Sequence, residues 1–351
     1  MKVLQIGSSL FDWGGIERYV AYLAEGLIER GHEVTVACPP GSPLALRSPG
    51  EKLAVPLRLQ YSYWLVPKFV QLLRKGQYDV AHVHFSPDFV IPLLAARMAH
   101  VPRVVMTRHV ALPWPAAKVT RYGEKVDRIV CVSDAVHRTL SSSGVRNEKL
   151  VVAKAGCPAL KPTSAVDRLR KELTGNGSLF AVGYFGRLVA DKGVQHLVEA
   201  AKSLPPGVVV HIFGEGPMRS SIEAAAKDSR ITYHGFVPDI ADAMASVDLV
   251  AIPSVWAEAF PFAALEAMSL GKPILATRRG GLPEMVLDGE TGRLVEAEDP
   301  AVLAAAILEL SRQPSALRHM GQRAKAIQEE TYTIDAFAKR IEAVYEAIQR
   351  T

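Results

Sequence analysis

Arg187 and Lys192 stand five residues apart in the run Tyr184-Phe185-Gly186-Arg187-Leu188-Val189-Ala190-Asp191-Lys192-Gly193. An apolar segment ends just before them and a helical pattern begins near Gly193. A guanidinium, an ammonium and the unpaired N–H groups of a helix start suit a diphosphate. Taken singly, each cation reads equally as a solvated loop residue. A second run, from Pro253 to Met268, carries two carboxylates with seven residues between them, Glu258 and Glu266. Pro261 favours the first turn of a helix. Glu258 then lies in the loop before that helix, and Glu266 lies inside it among apolar neighbours. A carboxylate in such surroundings is costly unless it binds something. Ribose hydroxyls suit Glu266, sugar hydroxyls suit Glu258, and the amides of Phe262 and Ala263 would face a phosphate or sugar. The plainer alternatives are a partly exposed helical Glu and a helix-entry acid.

Both runs follow apolar strands, and the pattern around them is β-α repeated. Short apolar segments at Val3–Gly7, Val34–Ala37, Val80–Val83, Arg103–Met106 and Arg128–Cys131 alternate with helical periodicity, beginning with the helix after Gly14-Gly15. Strands buried on both faces and separated by helices imply doubly wound parallel sheets, an α/β fold. Two prolines and lost periodicity over Lys154–Ser164 mark a linker. The alternation resumes at Phe180–Phe185, Val208–Phe213, Ile231–His234, Leu249–Ile252, Pro273–Ala276 and Gly292–Leu294. The expected organisation is a Rossmann-like domain over 1–157, a second over 165–331, and a terminal amphipathic helix over 332–351. That helix has Phe337, Ile341, Val344, Tyr345 and Ile348 on one face. Two such domains would place a cleft between them.

The length, 351 residues, suits two domains, and 49% hydrophobic with 22% charged residues excludes a disordered chain. Cys38, Cys131 and Cys157 are too few and too scattered for a metal site or a disulfide framework, which suggests a reducing, cytoplasmic setting. No secretory leader is expected, since the chain opens on a strand. The most apolar run, Phe89–Ala99, is too short to cross a bilayer and carries Pro92 and Arg97. Residues 1–160 carry a net charge of +8 and the remainder −3. The basic half would face something anionic, unless the asymmetry is ordinary surface scatter. Two segments there mix aromatic and basic residues. One holds Tyr63, Trp64 and Phe69 with Lys68, Arg74 and Lys75; the other holds Trp114 with Lys118, Arg121, Lys125 and Arg128. Both suit peripheral contact with an anionic membrane surface, although the first also reads as a core-facing helix with a solvated basic face. Nothing in the chain suggests nucleic-acid binding.

From Gly7 to Glu284 the chain resembles the family 4 retaining glycosyltransferases, which have the GT-B fold of two facing Rossmann-like domains. The resemblance rests on an ordered set: Gly14-Gly15, Asp79-Val80-Ala81-His82-Val83-His84, Thr107-Arg108-His109, Val132-Ser133, Gly186-Arg187-Leu188 with Lys192-Gly193, Gly214-Glu215-Gly216-Pro217, the pair Glu258/Glu266, and Gly280-Gly281-Leu282-Pro283-Glu284. It implies a nucleotide-diphosphate sugar as donor and an acceptor handled by the first domain. A glycan or lipid-linked acceptor of cell-envelope biosynthesis fits the aromatic and basic segments. Residue by residue it implies that Gly14 and Gly15 let the backbone approach the diphosphate and that His109 stands beside the donor sugar. Arg187 and Lys192 would neutralise the leaving group, and Gly186 would belong to the donor site. Glu258 would hold sugar hydroxyls and Glu266 the ribose, with Gly214, Phe260, Pro261, Phe262 and Ala263 lining the donor site. The backbone of Phe236 and Val237 would meet the base. His82 and His84 read as structural, and Glu284 as a first-turn helix acid. No cofactor is implied beyond the nucleotide sugar. No metal is expected, because the chain lacks an Asp-x-Asp and the basic pair supplies the charge.

Two departures stand out. Ala155 occupies a position where many members have Asn, and Arg108 is bulkier than expected and would extend toward the acceptor. Rival readings are weaker. A nucleotide-sugar epimerase of the same fold would need acidic catalytic residues that are not evident. A glycoside hydrolase would use Glu258 and Glu266 as its pair, and the cations speak against it. A dinucleotide oxidoreductase needs Gly-x-Gly-x-x-Gly after the first strand, where Gly7 is followed by Ser8, Ser9 and Leu10. A non-catalytic nucleotide-binding module would have lost the cations and acids.

Overall fold

A computed structural model describes residues 1–7, 13–55, 63–84, 90–237 and 239–348. The chain forms two compact units. The first comprises Met1–Cys157 together with the segment from Tyr332 onward, and the second comprises Pro158–Thr331. Among the described residues, the first unit holds seven parallel strands: β1 (Lys2–Ile6), β2 (Glu33–Cys38), β3 (Glu51–Ala54), β4 (Val80–Val83), β5 (Arg103–Arg108), β6 (Arg128–Cys131) and β7 (Leu150–Val152). Their order in the sheet is β3-β2-β1-β4-β5-β6-β7. The second unit holds six: β8 (Phe180–Phe185), β9 (Val208–Phe213), β10 (Ile231–Gly235), β11 (Leu249–Ile252), β12 (Ile274–Thr277) and β13 (Gly292–Val295), in the order β10-β9-β8-β11-β12-β13. Every pairing is parallel.

The central strands are buried throughout, as β4, β9, β11 and β12 show, which is what a sheet covered by helices on both faces requires. Two edge strands, β3 and β7, have no counterpart in the sequence reading. β3 is Glu-Lys-Leu-Ala with its ends exposed, and β7 is three residues long. Short, charged edges carry little periodic signal, and they also discourage sheet-to-sheet association.

Each order reverses direction once. The first chain segment builds outward from β1 through β2 and β3, then lays β4 on the other side of β1. The second builds outward from β8 through β9 and β10, then lays β11 beside β8. Loops leaving the carboxyl ends of such neighbours diverge and leave a crevice, the usual ligand position in open parallel sheets.

The terminal helix, Ile334–Glu346, belongs to the first unit. It packs on the helix Gly15–Glu29 so closely that a Cβ on Gly26 would lie 2.7 Å from Ala338 Cβ. Phe337, Ala338, Ile341 and Tyr345 are fully buried. Arg30 donates to Glu342 (2.6 and 2.8 Å) and to Asp335 (2.8 Å), and Arg340 donates twice to the Lys154 carbonyl. Gly156 is required by proximity, since a Cβ there would stand 2.2 Å from the Thr333 carbonyl oxygen. Ala155 beside it is buried. The expected linker divides at Cys157/Pro158. The part beyond Pro158 is tied to the second unit through Thr163, whose N–H and hydroxyl both donate to Asp242 (2.6 Å each).

Candidate active site

In the second unit the crevice lies between the loops that follow β8 and β11. The β8 loop closes as a short turn over Ala190–Lys192, and Gly193 then opens the helix Val194–Ala201 with φ at 70°. Only glycine serves there. Its conformation is left-handed, and a Cβ would stand 1.9 Å from the Pro253 carbonyl oxygen on the β11 loop. The N–H groups of Val255 and Trp256 both donate to the Asp191 carbonyl at 3.0 Å. The loops are thus bound backbone to backbone before any side chain acts.

Lys192 and Glu258 meet across this seam, Nζ to Oε1, at 2.5 Å. The same oxygen accepts from Ser254 Oγ at 2.7 Å. Glu258 Oε2 receives no hydrogen bond from a described residue. The carboxylate is 8% exposed and the lysine 27%, so the acid forms the wall and the ammonium faces the opening. Behind them Thr277 donates to the Ser254 carbonyl (2.6 Å), and the Gly281 N–H donates to the Glu258 carbonyl (2.6 Å). Ser254 had no assigned role in the sequence reading. Its only signal is its place directly after β11, four residues before Glu258.

Arg187 is exposed and forms no ion pair with a described residue, while its carbonyl accepts from the Tyr184 hydroxyl at 2.7 Å. That phenol is held well above its ordinary pKa, by burial first and by the charge of Glu258 second, with Arg187 acting in the opposite sense. Both charges therefore act on one buried hydroxyl. Gly186 and Gly214 lie where the β8 and β9 loops touch. Gly214 has φ at 142°, and a Cβ on it would fall 1.9 Å from the Gly186 carbonyl oxygen. Its N–H donates to the Gly235 carbonyl at 2.7 Å, which brings the end of β10 alongside. Beyond Gly235, Phe236 is exposed and Val237 half-buried.

The helix after Glu258 runs over Phe262–Ser269, so Pro261 is its N-cap and not a first-turn residue; no side chain caps it. The amides of Phe262 and Ala263 open it. Glu266 sits one turn in, buried, with Ala264, Leu265, Ala267 and Met268 also buried around it. Phe260 is buried in the loop ahead of Pro261.

In the first unit Gly14 is the N-cap of the helix Gly15–Glu29, and its N–H donates to the Glu17 carboxylate at 3.0 Å. Residues 8–12 and 85–89, which follow β1 and β4, lie outside the described residues. His109 follows β5. Its ring stands edge-on to Tyr19, with centroids 4.6 Å apart, and lies 5.9 Å from His84. Its Nε2 is buried without a hydrogen-bond partner among the described residues. Burial, then the neighbouring Arg108 charge, push its pKa down to about 3, so the imidazole is neutral.

His82 and His84 are structural. The Tyr345 hydroxyl accepts from Gln5 Nε2 (3.1 Å) and donates to His82 Nδ1 (2.7 Å), whose Nε2–H donates to Thr107 (2.7 Å). His84 donates to the Gln5 carbonyl oxygen. This tautomer set keeps both rings neutral and satisfies both His82 nitrogens, while His84 Nδ1 is buried without a partner among the described residues. Burial holds both histidines well below their ordinary pKa.

Two expectations are corrected. Arg108 does not extend into solvent. It is buried, lies over Trp114 with 5.5 Å to the ring centroid, and donates to the Leu112 carbonyl. Trp114 is itself buried against Tyr122, so the second aromatic-basic segment presents no tryptophan to a membrane. In the first such segment the helix Val66–Gly76 buries Val66, Phe69, Val70 and Leu73 and exposes Lys68, Arg74 and Lys75. Tyr63 and Trp64, just ahead of it, are 51% and 75% exposed. No described helix is long and apolar enough to cross a membrane.

Two parallel-sheet units of doubly wound type make up the GT-B fold. Comparison with known proteins gives the family. Residues 13–158 match the model of Glycosyltransferase Family 4, and residues 180–313 that of the Glycosyl transferases group 1. The chain belongs to the family 4 glycosyltransferases. A phosphatidyl-myo-inositol mannosyltransferase of Mycobacterium leprae is 29% identical, over 99% of this chain and 97% of its own length. A D-inositol 3-phosphate glycosyltransferase of an Arthrobacter species is also 29% identical, over 89% and 85%. Among solved structures, Anabaena Alr3699/HepE in complex with UDP shares the fold, with a TM-score of 0.85 at 24% identity over 99% of this chain and all of that one.

The buried histidines carry a consequence for stability. His82 and His84 stay neutral in the folded chain, whereas in the unfolded chain they protonate near pH 6.5. Below that pH the unfolded state binds more protons, so stability present at neutral pH is lost as the pH falls. The expected slope is about 1.4 kcal/mol per pH unit for each histidine. Equilibrium denaturation between about pH 7 and about pH 5 should show this loss. A flat profile would mean that the rings are already charged in the folded chain.

Proposed function

We propose that this glycosyltransferase moves a hexose from a nucleotide-diphosphate sugar to an acceptor hydroxyl with retention of configuration and without a metal ion. The observation that carries this reading is the Lys192–Glu258 pair at the β8/β11 crevice, with Arg187 beside it. An ammonium has three donors. One is taken by Glu258 Oε1, and two remain for phosphate oxygens. Arg187 and the uncapped start of the helix Phe262–Ser269 add positive potential. In this reading Glu258 Oε2 accepts from a sugar hydroxyl, and Glu266 from the ribose. His109 Nε2, buried and unpartnered, gains a hydrogen bond from the donor sugar, as the family resemblance implies.

In this scheme the bond between the anomeric carbon and the diphosphate breaks first, with its electron pair passing to the departing phosphate oxygen. Lys192 and Arg187 stabilise the charge that grows there. The acceptor oxygen bonds to the anomeric carbon on the same face, and its proton passes to that phosphate oxygen. No protein nucleophile takes part.

The acceptor is proposed to be a glycan or a lipid-borne or phosphorylated molecule of envelope biosynthesis. The names of the two relatives support this, since one carries a phosphatidylinositol and the other an inositol phosphate. Tyr63 and Trp64 ahead of the basic face of Val66–Gly76 would hold the first unit against an anionic membrane, on the cytoplasmic side. The three cysteines, all buried and none in a disulfide among the described residues, fit a reducing compartment.

Lys192→Ala should lower turnover by about 10²–10³, with the fold retained because Ser254 still partners Glu258. Near-wild-type turnover in a steady-state assay would sink the scheme. Turnover should also survive EDTA. A loss reversed by magnesium or manganese would show that a metal carries the charge instead. For the membrane contact, the chain should sediment with liposomes containing anionic lipid, and a Trp64→Ser/Lys68→Glu variant should stay in the supernatant. Equal sedimentation of the two would remove this surface from consideration.

A further inference from the structure

The amino ends of β8, β9, β11 and β12 border a cavity of about 740 Å³. It lies at the opposite end of the second unit's sheet from Lys192 and Glu258, which follow the strands, and it uses none of their residues. Its volume falls in the range of small-molecule sites, roughly 300–1,000 Å³. Four cations line it, Arg170, Lys272, Arg312 and Arg318, against one carboxylate, Asp248.

The carboxylate is already committed. Asp248 pairs with Arg170 at 2.6 Å, and its other oxygen accepts from the Ala181 N–H at 2.9 Å. Three cations are left without a carboxylate among the described residues. Lys272 donates to the neutral Val247 carbonyl at 2.9 Å, and Arg318 donates to the Ser315 hydroxyl at 3.1 Å. Arg312 caps the end of the helix Pro300–Ser311, where the helix dipole accounts for a positive charge. Lys272 also meets a helix end, because Val247, whose carbonyl it reaches, is the C-cap of the helix Ala241–Ser246. Burial and then the charge of Arg170, opposed by Asp248, push that amine down to about 8. A bound anion would favour its charged form. The helix Pro314–Thr331 begins at the rim, with Pro314 among the lining residues, and adds the positive end of its own dipole.

We propose that this cavity is a second ligand site, for a small polyanion of the phosphorylated or pyrophosphorylated class, distinct from the donor site. Lys272 and Arg170 line it beside the strand ends, and the exposed Arg312 and Arg318 form its rim. Bound phosphate oxygens keep Lys272 charged and accept from the rim arginines.

The test uses inorganic pyrophosphate and the full chain. Calorimetric titration of the Lys192→Ala chain, whose donor site is impaired, should still report one site. Adding Arg312→Ala and Arg318→Ala should weaken that site by about tenfold or more, the scale of one lost charge-assisted contact. Both arginines are exposed, and an unchanged melting temperature checks the fold. Bound pyrophosphate should also protect Lys272 from an amine-reactive label, read by mass spectrometry. An absence of binding to the Lys192→Ala chain at millimolar pyrophosphate, an affinity indifferent to the two arginines, or a Lys272 labelled equally with and without pyrophosphate would each overturn the proposal.

Discussion

Glu258 Oε1 accepts from two donors that arrive on different loops, Lys192 after β8 and Ser254 after β11. The second unit's site depends on this junction. The strand order places β8 and β11 side by side although β9 and β10 intervene in sequence, so their loops would diverge if left alone. The junction fixes the distance between them with an ion pair whose acid is buried and whose base faces outward. Such a pair contributes little to stability once desolvation is counted. Its value here is geometric. It fixes the ammonium while leaving two of its protons unclaimed.

The pair is neutral as a unit, which gives Arg187 a separate role. With Lys192 and Glu258 compensating each other, the net positive charge of the crevice comes from Arg187 and from the helix start at Phe262. Arg187 is exposed and forms no ion pair with a described residue, while Tyr184 fixes its backbone carbonyl. An exposed guanidinium on a fixed backbone suits recognition of an arriving anion, and a clamped ammonium suits charge that develops during reaction. The two cations are thus different in kind, although the sequence presents them as equivalent members of one loop.

What the sequence made legible follows from the range of the signal. Apolar runs such as Val208–Phe213 announce central strands because both faces are covered, and the glycines at 186, 193 and 214 announce close loops. β3 and β7 escaped because edge strands are short and carry charge or few residues. The spacing of Lys192, Glu258 and Glu266 pointed to the site. Nothing local could show that Lys192 and Glu258 pair, because that contact spans 66 residues and is set by strand order. Trp114 and Arg108 were misread for a related reason. An aromatic among basic residues reads as a surface feature until tertiary packing turns it inward, where the guanidinium covers the indole.

The first unit poses a different constraint, because its core is not continuous in sequence. The Tyr345 hydroxyl bridges Gln5 and His82, and Glu342 binds both Arg30 and His32. Without the terminal helix, His82 Nδ1 would lose its partner and Tyr19 would lose the Phe337 ring that packs edge-on against it. An unmet buried polar group costs about 1–3 kcal/mol. The first unit therefore reaches its final packing only after the whole second unit has been synthesised, and the loop closed by that contact is long. Attaching the last helix to the first unit makes completion of one core conditional on the presence of the other end of the chain. The two units then share a folding dependence even though each has its own sheet and its own buried core.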